Sequence, residues 1–145
     1  MTAPIVVGID GSAESDAALR FAYEEARLRN SPVRAVCVWS ASGAGYIGEA
    51  FTPTADFFLE AEHHAEEVLR DALERLAPDP SVTIEAISVA GHPSTELVAQ
   101  ARDAELLVVG SRGRGATASV LLGSVSQGVA HHARCPLVIV PHAAR

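Results

Sequence analysis

The chain has 145 residues, of which 48% are hydrophobic and 20% charged, a composition typical of a folded globular domain rather than a disordered chain. Its formal net charge of −7 argues against general nucleic-acid binding, because such proteins present a basic face to the phosphate backbone. All 11 basic residues are Arg, so the chain lacks the lysine that a P-loop, a protein kinase or a Schiff-base enzyme requires.

The first part of the chain predicts a strand, a helix and a second strand. Residues 4–9 are a continuous run rich in β-branched side chains, which predicts a buried strand. Ser12 then has the character of an N-cap, and apolar residues recur at helical spacing as far as about Asn30. Residues 33–39 are again β-branched and apolar, and they predict the second strand.

A long loop and a long helix come next. Residues 40–55 are rich in Gly, Ser and Thr and have no periodicity, which predicts a loop of the length that lids often have. Residues 56–77 carry an apolar stripe at helical spacing, and Pro78 ends that helix. The alternating residues 82–90 predict the third strand.

The last part of the chain continues the alternation of helices and strands. A short helix is predicted to open near Pro93, where a missing N–H costs little. Residues 105–110 predict the fourth strand, a helix runs from about residue 124 to 132, and residues 136–140 predict the fifth strand. We expect residues 1–145 to form one domain.

The order of these elements predicts an α/β fold with a doubly wound parallel sheet. Strands that alternate with crossover helices form parallel sheets that are covered by helices on both faces. Ligands bind to such sheets beyond the carboxyl ends of the strands, where the winding reverses. Because Asp10 follows the first strand and Gly110 ends the fourth, we expect the loops after these strands to meet in one crevice.

The loop after the fourth strand has the composition of an anion-binding loop. Two residues separate Gly110 from Gly113, and nine more precede Gly123, which is followed by Ser124 at the start of the next helix. Glycine lets backbone N–H groups approach an anion closely and tolerates a positive φ. The helix N-terminus adds N–H donors and positive dipole, and the hydroxyl of Ser124 adds another donor. This pattern predicts a polyphosphate cradle without a Walker lysine.

Other interpretations of these residues stay open. Gly110 and Gly113 are also compatible with ordinary turns, and Asp10 with a cap on the neighbouring helix. Arg112 and Arg114 either add positive charge over the phosphates or are simply solvated.

The segment GSRG, followed by nine residues and GSV, resembles the G-x2-G-x9-G-[S/T] signature of the universal stress protein family, in its ATP-binding branch. The resemblance extends over essentially the whole chain, from VVGIDGS near the start to CPLVIVP near the end. It implies a three-layer fold with a five-stranded parallel sheet in the order 3-2-1-4-5 and helices on both faces.

The resemblance also implies a ligand, which is ATP, with Mg²⁺ held by the phosphates. It places Asp10 and the backbone of Gly8 beside the adenosine, and Val38 against the adenine. The residues that it places around the phosphates are Gly110, Gly113, Gly123, Ser124 and Val125. The further loop members that it implies are Ser111, Arg112, Arg114, Gly115 and Ala116.

The expected activity is regulation rather than catalysis. We expect a cytoplasmic, nucleotide-dependent stress-response regulator with an unknown protein partner, and the resemblance implies a homodimer that pairs through residues 136–140. We expect no contact with membrane or nucleic acid, because no apolar run approaches a membrane span, no secretion signal precedes the first strand, and the net charge is negative. No catalytic residue is predicted, because the chain has no G-x-S-x-G elbow and Asp10, the only acid expected in the crevice, is committed to the nucleoside end.

Two rival functions stay open, whereas a protein-made metal site and a redox role for the thiols are not predicted. The rivals are a slow ATPase or a nucleotidyl- or phosphoryl-transfer enzyme on the same fold, and a nucleotide-free interaction module. A metal site made by protein side chains is not predicted, because the histidine pairs 63–64 and 131–132 are adjacent and point to different sides of their helices. Cys37 and Cys135 lie in or beside apolar runs without metal-ligand spacing, so we expect buried thiols.

Overall fold

The structure is a computed structural model, and it describes residues 2–40, 54–113 and 122–141. The predicted loop over residues 40–55 therefore lies almost wholly outside the described residues. The predicted site residues Arg114, Gly115 and Ala116 also lie outside them.

The described residues form a five-stranded parallel sheet in the order β3-β2-β1-β4-β5, which confirms the predicted fold class and strand order. The strands are β1 (Ile5–Gly8), β2 (Val33–Trp39), β3 (Ile84–Ala90), β4 (Leu106–Gly110) and β5 (Leu137–Val140). The helices are α1 (Ala13–Arg29), α2 (Ala55–Leu76), α3 (Pro93–Gln100) and α4 (Ser124–His132).

The sheet lies between two helical layers, and each face has its own apolar core. Ile5 and Val7 of β1 pack with α1 and α2 on one face, whereas Val6 packs with Leu97 of α3 and Val129 of α4 on the other. All three β1 side chains are completely buried. A central strand covered on both faces therefore appears in the sequence as a continuous apolar run rather than an alternating one.

The predicted helix ends follow from capping. The Ser12 hydroxyl accepts a hydrogen bond from the Ser15 N–H at 3.1 Å, which begins α1 as expected. Asn30 ends α1 in the left-handed conformation, with φ at 57°. α2 ends in the same way one residue before Pro78, with Ala77 as its left-handed cap.

β3 begins two residues later than predicted, whereas the other strands begin within one residue of the predicted start. The expected strand over residues 82–90 starts at Ile84, because the preceding residues form a turn. In that turn the Val82 N–H donates to the carbonyl of Asp79 at 3.2 Å, and the Ser81 N–H donates to the Asp79 carboxylate at 2.8 Å. Among the described residues, no helix combines the length and the apolar character needed to span a membrane.

Candidate functional site

The candidate site lies where β1 and β4 end side by side. The two strands pair in parallel, with Val7 opposite Val108, and the winding reverses between them because β2 flanks β1 and β5 flanks β4. A cavity of about 610 Å³ opens at this edge. It is lined by every predicted site residue that the structure describes, namely Gly8, Asp10, Val38, Gly110, Ser111, Arg112, Gly113, Gly123, Ser124 and Val125.

One end of the cavity is apolar. Val36 and Val38 of β2 and Leu97 of α3 line it, and they belong to the core on the α3 and α4 face. A Cβ at Gly8 would lie 3.1 Å from a methyl carbon of Leu97, so the missing side chain lets α3 pack close to the end of β1. The apolar lining of this end suits a flat, weakly polar ring.

The other end is formed by the first turn of α4. Gly123 is the N-cap and has no side chain with which to cap the helix. The first intrahelical hydrogen bond runs from the Gln127 N–H to the carbonyl of Gly123 at 3.0 Å. The N–H groups of the residues before Gln127 therefore have no intrahelical acceptor, and they lie at the positive end of the helix dipole. Such a turn binds anions.

Two hydrogen bonds close the neck of the glycine loop, which spans residues 112–122. The carbonyl of Ser111 accepts from the Gly123 N–H at 2.6 Å and from the Ser126 hydroxyl at 2.9 Å. The same hydroxyl also lies 3.0 Å from the carbonyl of Gly123. Because Ser126 is buried, this clamp fixes the end of β4 against the first turn of α4 independently of solvent.

The Asp10 carboxylate faces this loop. Its Oδ1 accepts from the Ser12 N–H at 2.9 Å and from the Ser12 hydroxyl, and its own N–H donates to the Ser15 hydroxyl at 3.3 Å. A Cβ at Gly113 would lie 2.5 Å from Asp10 Oδ2. A side chain at position 113 would therefore force the Asp10 carboxylate or the glycine loop to move.

Backbone conformation does not explain Gly113, contrary to the sequence-based argument from positive φ. Among the described glycines, positive φ is found at Gly11 (85°) and Gly91 (149°). Both lie outside the glycine loop, so steric contact with Asp10 is the reason that the structure provides for Gly113.

Arg112 lies between the cavity and α1. Its guanidinium Nη2 is 3.9 Å from Glu14 Oε1, and the two side chains are only 12% and 15% exposed. α1 approaches closely here, since a Cβ at Gly110 would lie 3.0 Å from the Cβ of Glu14. The positive charge of Arg112 is thus held beside the loop, with an acidic side chain within reach.

Burial favours the protonated form of the two thiols, which lie outside the lining of the cavity. Burial, with the charge of Asp10 as a smaller cause, raises the pKa of Cys37 from 9.0 to about 11. Burial also raises the pKa of Cys135, which is half-buried rather than fully buried as predicted. Among the described residues, no group of three or more His, Cys, Asp or Glu side chains is arranged to hold a metal ion.

Sequence reasoning missed several cavity residues. Ser15, Leu97, Ser126 and Gln127 line the cavity as well. The sequence could have identified Ser126, because a Ser in the first turn after Gly123-Ser124 can bond to a nearby carbonyl. Leu97 was predicted only as an inward-facing residue of its short helix, and nothing in its local sequence indicates a ligand pocket.

The fold and site define an α/β protein with a glycine-rich loop and an uncapped helix N-terminus at the switch point of a parallel sheet. Residues 1–141 match the model of the universal stress protein family, and the chain belongs to that family. The universal stress protein Rv2005c of Mycobacterium tuberculosis (strain ATCC 25618 / H37Rv) is 39% identical over 140 residues, covering 94% of this chain and 45% of the relative. The chain spans about half the length of the curated relatives it matches.

Solved structures of similar proteins include complexes with nucleotides. The universal stress protein from Archaeoglobus fulgidus in complex with dAMP is 29% identical, with a TM-score of 0.66 over 95% of this chain and 97% of that chain. A universal stress protein in complex with cAMP is 28% identical, with a TM-score of 0.68 over 97% of each chain.

Proposed function

We propose that this domain binds ATP in the cavity between the ends of β1 and β4. One observation carries the proposal: a single cavity joins an apolar end at Val36, Val38 and Leu97 to the uncapped first turn of α4. ATP has the same two parts, with a weakly polar adenine ring at one end and charged phosphates at the other. The dAMP and cAMP complexes of similar proteins support an adenine nucleotide as the ligand.

The residues divide between the two parts of the nucleotide. Val38 packs against the adenine, while Gly8 and Asp10 lie beside the adenosine. Main-chain N–H groups bind the phosphates, because anions are favoured at uncapped helix N-termini and in glycine loops. The phosphate-binding residues that we propose are Gly110, Gly113, Gly123, Ser124 and Val125. Loop members from Ser111 to Ala116 surround them, and those from Arg114 onward lie outside the described residues.

Phosphate oxygens, rather than a protein cluster, would hold the accompanying Mg²⁺. This agrees with the chemistry of the ion, which keeps several waters and is commonly bound through substrate phosphates. Bound Mg²⁺ would reduce the negative charge of the phosphates, which lie near the Asp10 carboxylate. We therefore expect ATP to bind more tightly when Mg²⁺ is present.

We further propose that the domain is a nucleotide-dependent regulator of the stress response, and acts as a cytoplasmic homodimer paired through residues 136–140. The edge strand β5 is partly exposed, which leaves its outer side open for pairing. The Asp10 carboxylate is engaged by Ser12, which supports a role in positioning rather than in activating water.

Titration calorimetry with ATP, AMP, cyclic AMP and adenosine, each with and without Mg²⁺, tests the proposal. We expect saturable one-site binding and tighter binding of ATP than of adenosine, since only ATP uses the first turn of α4. No binding at about 1 mM ATP, a weak affinity on the scale of specific ligands, would refute nucleotide binding. Rapid ADP or AMP formation, followed by chromatography during incubation, would refute the non-enzymatic role.

A further inference from the structure

The second edge of the sheet, formed by β3, has no partner strand among the described residues. β3 pairs with β2 over all seven of its residues, from Ile84 to Ala90. Edge strands are commonly protected by lysine, proline or a bulge. The β3 sequence, IEAISVA, has neither lysine nor proline. Its one charged side chain, Glu85, pairs with Arg34 of β2 at 3.2 Å.

The hydrogen-bond register shows which β3 residues face outward. The Val33 N–H donates to the carbonyl of Thr83 at 2.9 Å, and the Gly91 N–H donates to the carbonyl of Trp39 at 2.9 Å. Because alternate residues of a parallel strand bond to the same neighbour, the odd-numbered residues of β3 bond to β2. The residues whose N–H and C=O groups point to the open edge are Ile84, Ala86, Ser88 and Ala90.

Two of these residues also line a hollow beneath α2. Ala86 and Ser88 are small, and with Leu69 and Leu73 of α2 they line a cavity of about 730 Å³. The Ser88 hydroxyl oxygen is buried and has no hydrogen-bond partner among the described residues. Because solvent does not reach this oxygen, a segment that adds to the edge would bond to the backbone groups of β3 rather than to the Ser88 hydroxyl.

The rim of the hollow is acidic. Glu62, Glu66 and Glu74 of α2 line it, with Arg70 as the one basic residue beside them, and all four are exposed. A second copy of the chain would bring two acidic rims together, and each copy has a formal net charge of −7. The charges therefore favour a basic segment over a second copy.

We propose that the β3 edge and the hollow under α2 bind an extended basic segment of a partner protein by strand addition. The segment adds a sixth strand through the outward N–H and C=O groups of Ala86 and Ser88. The side chains of its alternate residues point toward α2, and where these are lysine or arginine their aliphatic stems enter the hollow and their charges reach the glutamates at its rim. This surface is separate from the nucleotide cavity and does not depend on the proposed function.

Fluorescence anisotropy with a labelled seven-residue peptide of alternating lysine and valine tests the proposal. We expect saturable binding that weakens as the salt concentration rises. Ser88→Pro removes an outward N–H without removing a bond to β2, so it should weaken binding roughly tenfold or more. Ser88→Ala is the matched control, because it keeps the N–H, and it should bind within about threefold of wild type.

Urea denaturation of both variants checks that the sheet is intact, and Glu66→Gln provides a second measurement that leaves β3 unchanged. That variant should bind the peptide more weakly and with a smaller salt dependence. The proposal is overturned if wild type does not bind at about 1 mM peptide, or if both Ser88→Pro and Glu66→Gln bind like wild type. Self-association that Ser88→Pro abolishes would overturn it in favour of a second copy.

Discussion

Replacing Gly113 with Ala tests the steric coupling between the glycine loop and Asp10. The new Cβ would lie 2.5 Å from Asp10 Oδ2, roughly 1 Å closer than an ordinary van der Waals contact. The carboxylate resists movement because Ser12 donates two hydrogen bonds to its other oxygen. Hydrogen bonds to a charged group contribute about 1.5–3 kcal/mol, so the loop, rather than Asp10, is expected to move.

A displacement of this size should weaken ATP binding by about 10- to 100-fold, or about 1.4–2.8 kcal/mol. Titration calorimetry measures the loss, and thermal unfolding checks the fold. Gly123→Ala is the matched control, since a Cβ there has its nearest contacts at 3.6 Å, which is ordinary packing. We expect that variant to keep the fold and to lose less affinity than Gly113→Ala. The bulkier Gly113→Val should abolish binding.

The double variant Asp10→Ala, Gly113→Ala separates the contact with Asp10 from a contact with the ligand. Without the carboxylate the new Cβ has room, so Gly113→Ala should cost less than about threefold in the Asp10→Ala background. Equal losses in the two backgrounds would show that the ligand or the backbone, rather than Asp10, requires glycine. Unchanged ATP affinity in the single variant would contradict the loop assignment altogether.

Three further predictions concern the surroundings of the site. Ser126→Ala removes the hydroxyl that clamps Ser111, so urea denaturation should show a loss of about 1–2 kcal/mol in unfolding free energy. Glu14→Gln removes an acid beside Arg112, so calorimetry should show ATP binding that is about two- to fivefold tighter and adenosine binding that is unchanged. Weaker ATP binding would show instead that Glu14 positions Arg112. Cys37, with a pKa raised to about 11, should resist iodoacetamide at neutral pH. Folding raises this pKa, so the unfolded chain loses the thiol proton at a lower pH than the folded protein does. The unfolding free energy should therefore fall as the pH rises from 9.0 toward about 11, and denaturation at both pH values checks this.

The fold was predictable because the local and long-range signals agree. The β-branched runs, the Ser12 cap and the apolar stripe of α2 each predict the element that the structure contains. The strand order could not be predicted in this way, because alternation of strands and helices allows several doubly wound sheets. The order 3-2-1-4-5 came from the resemblance to a family and not from the physics of any one segment.

The candidate site was predictable in its residues but not in its contacts. The spacing of Gly110, Gly113 and Gly123 predicted a cavity at the end of β4, and all three residues line it. The steric reason for Gly113 depends on Asp10, which lies far away in the chain and reaches the loop only because β1 and β4 are neighbours. Pairings of this kind need the tertiary structure, and the same is true of Leu97 at the apolar end of the cavity.

Ser111 links the cavity to the edge of the sheet. Its carbonyl holds the first turn of α4 through Gly123 and Ser126, while its N–H donates to the carbonyl of Val140 in β5 at 2.8 Å. One residue thus joins the proposed phosphate-binding turn to the strand proposed for dimer pairing. Two binding events that bias the same rigid element affect each other by equal free energies. A nucleotide that alters the position of Ser111 would therefore alter dimerisation through β5, and dimerisation would alter nucleotide affinity by the same factor.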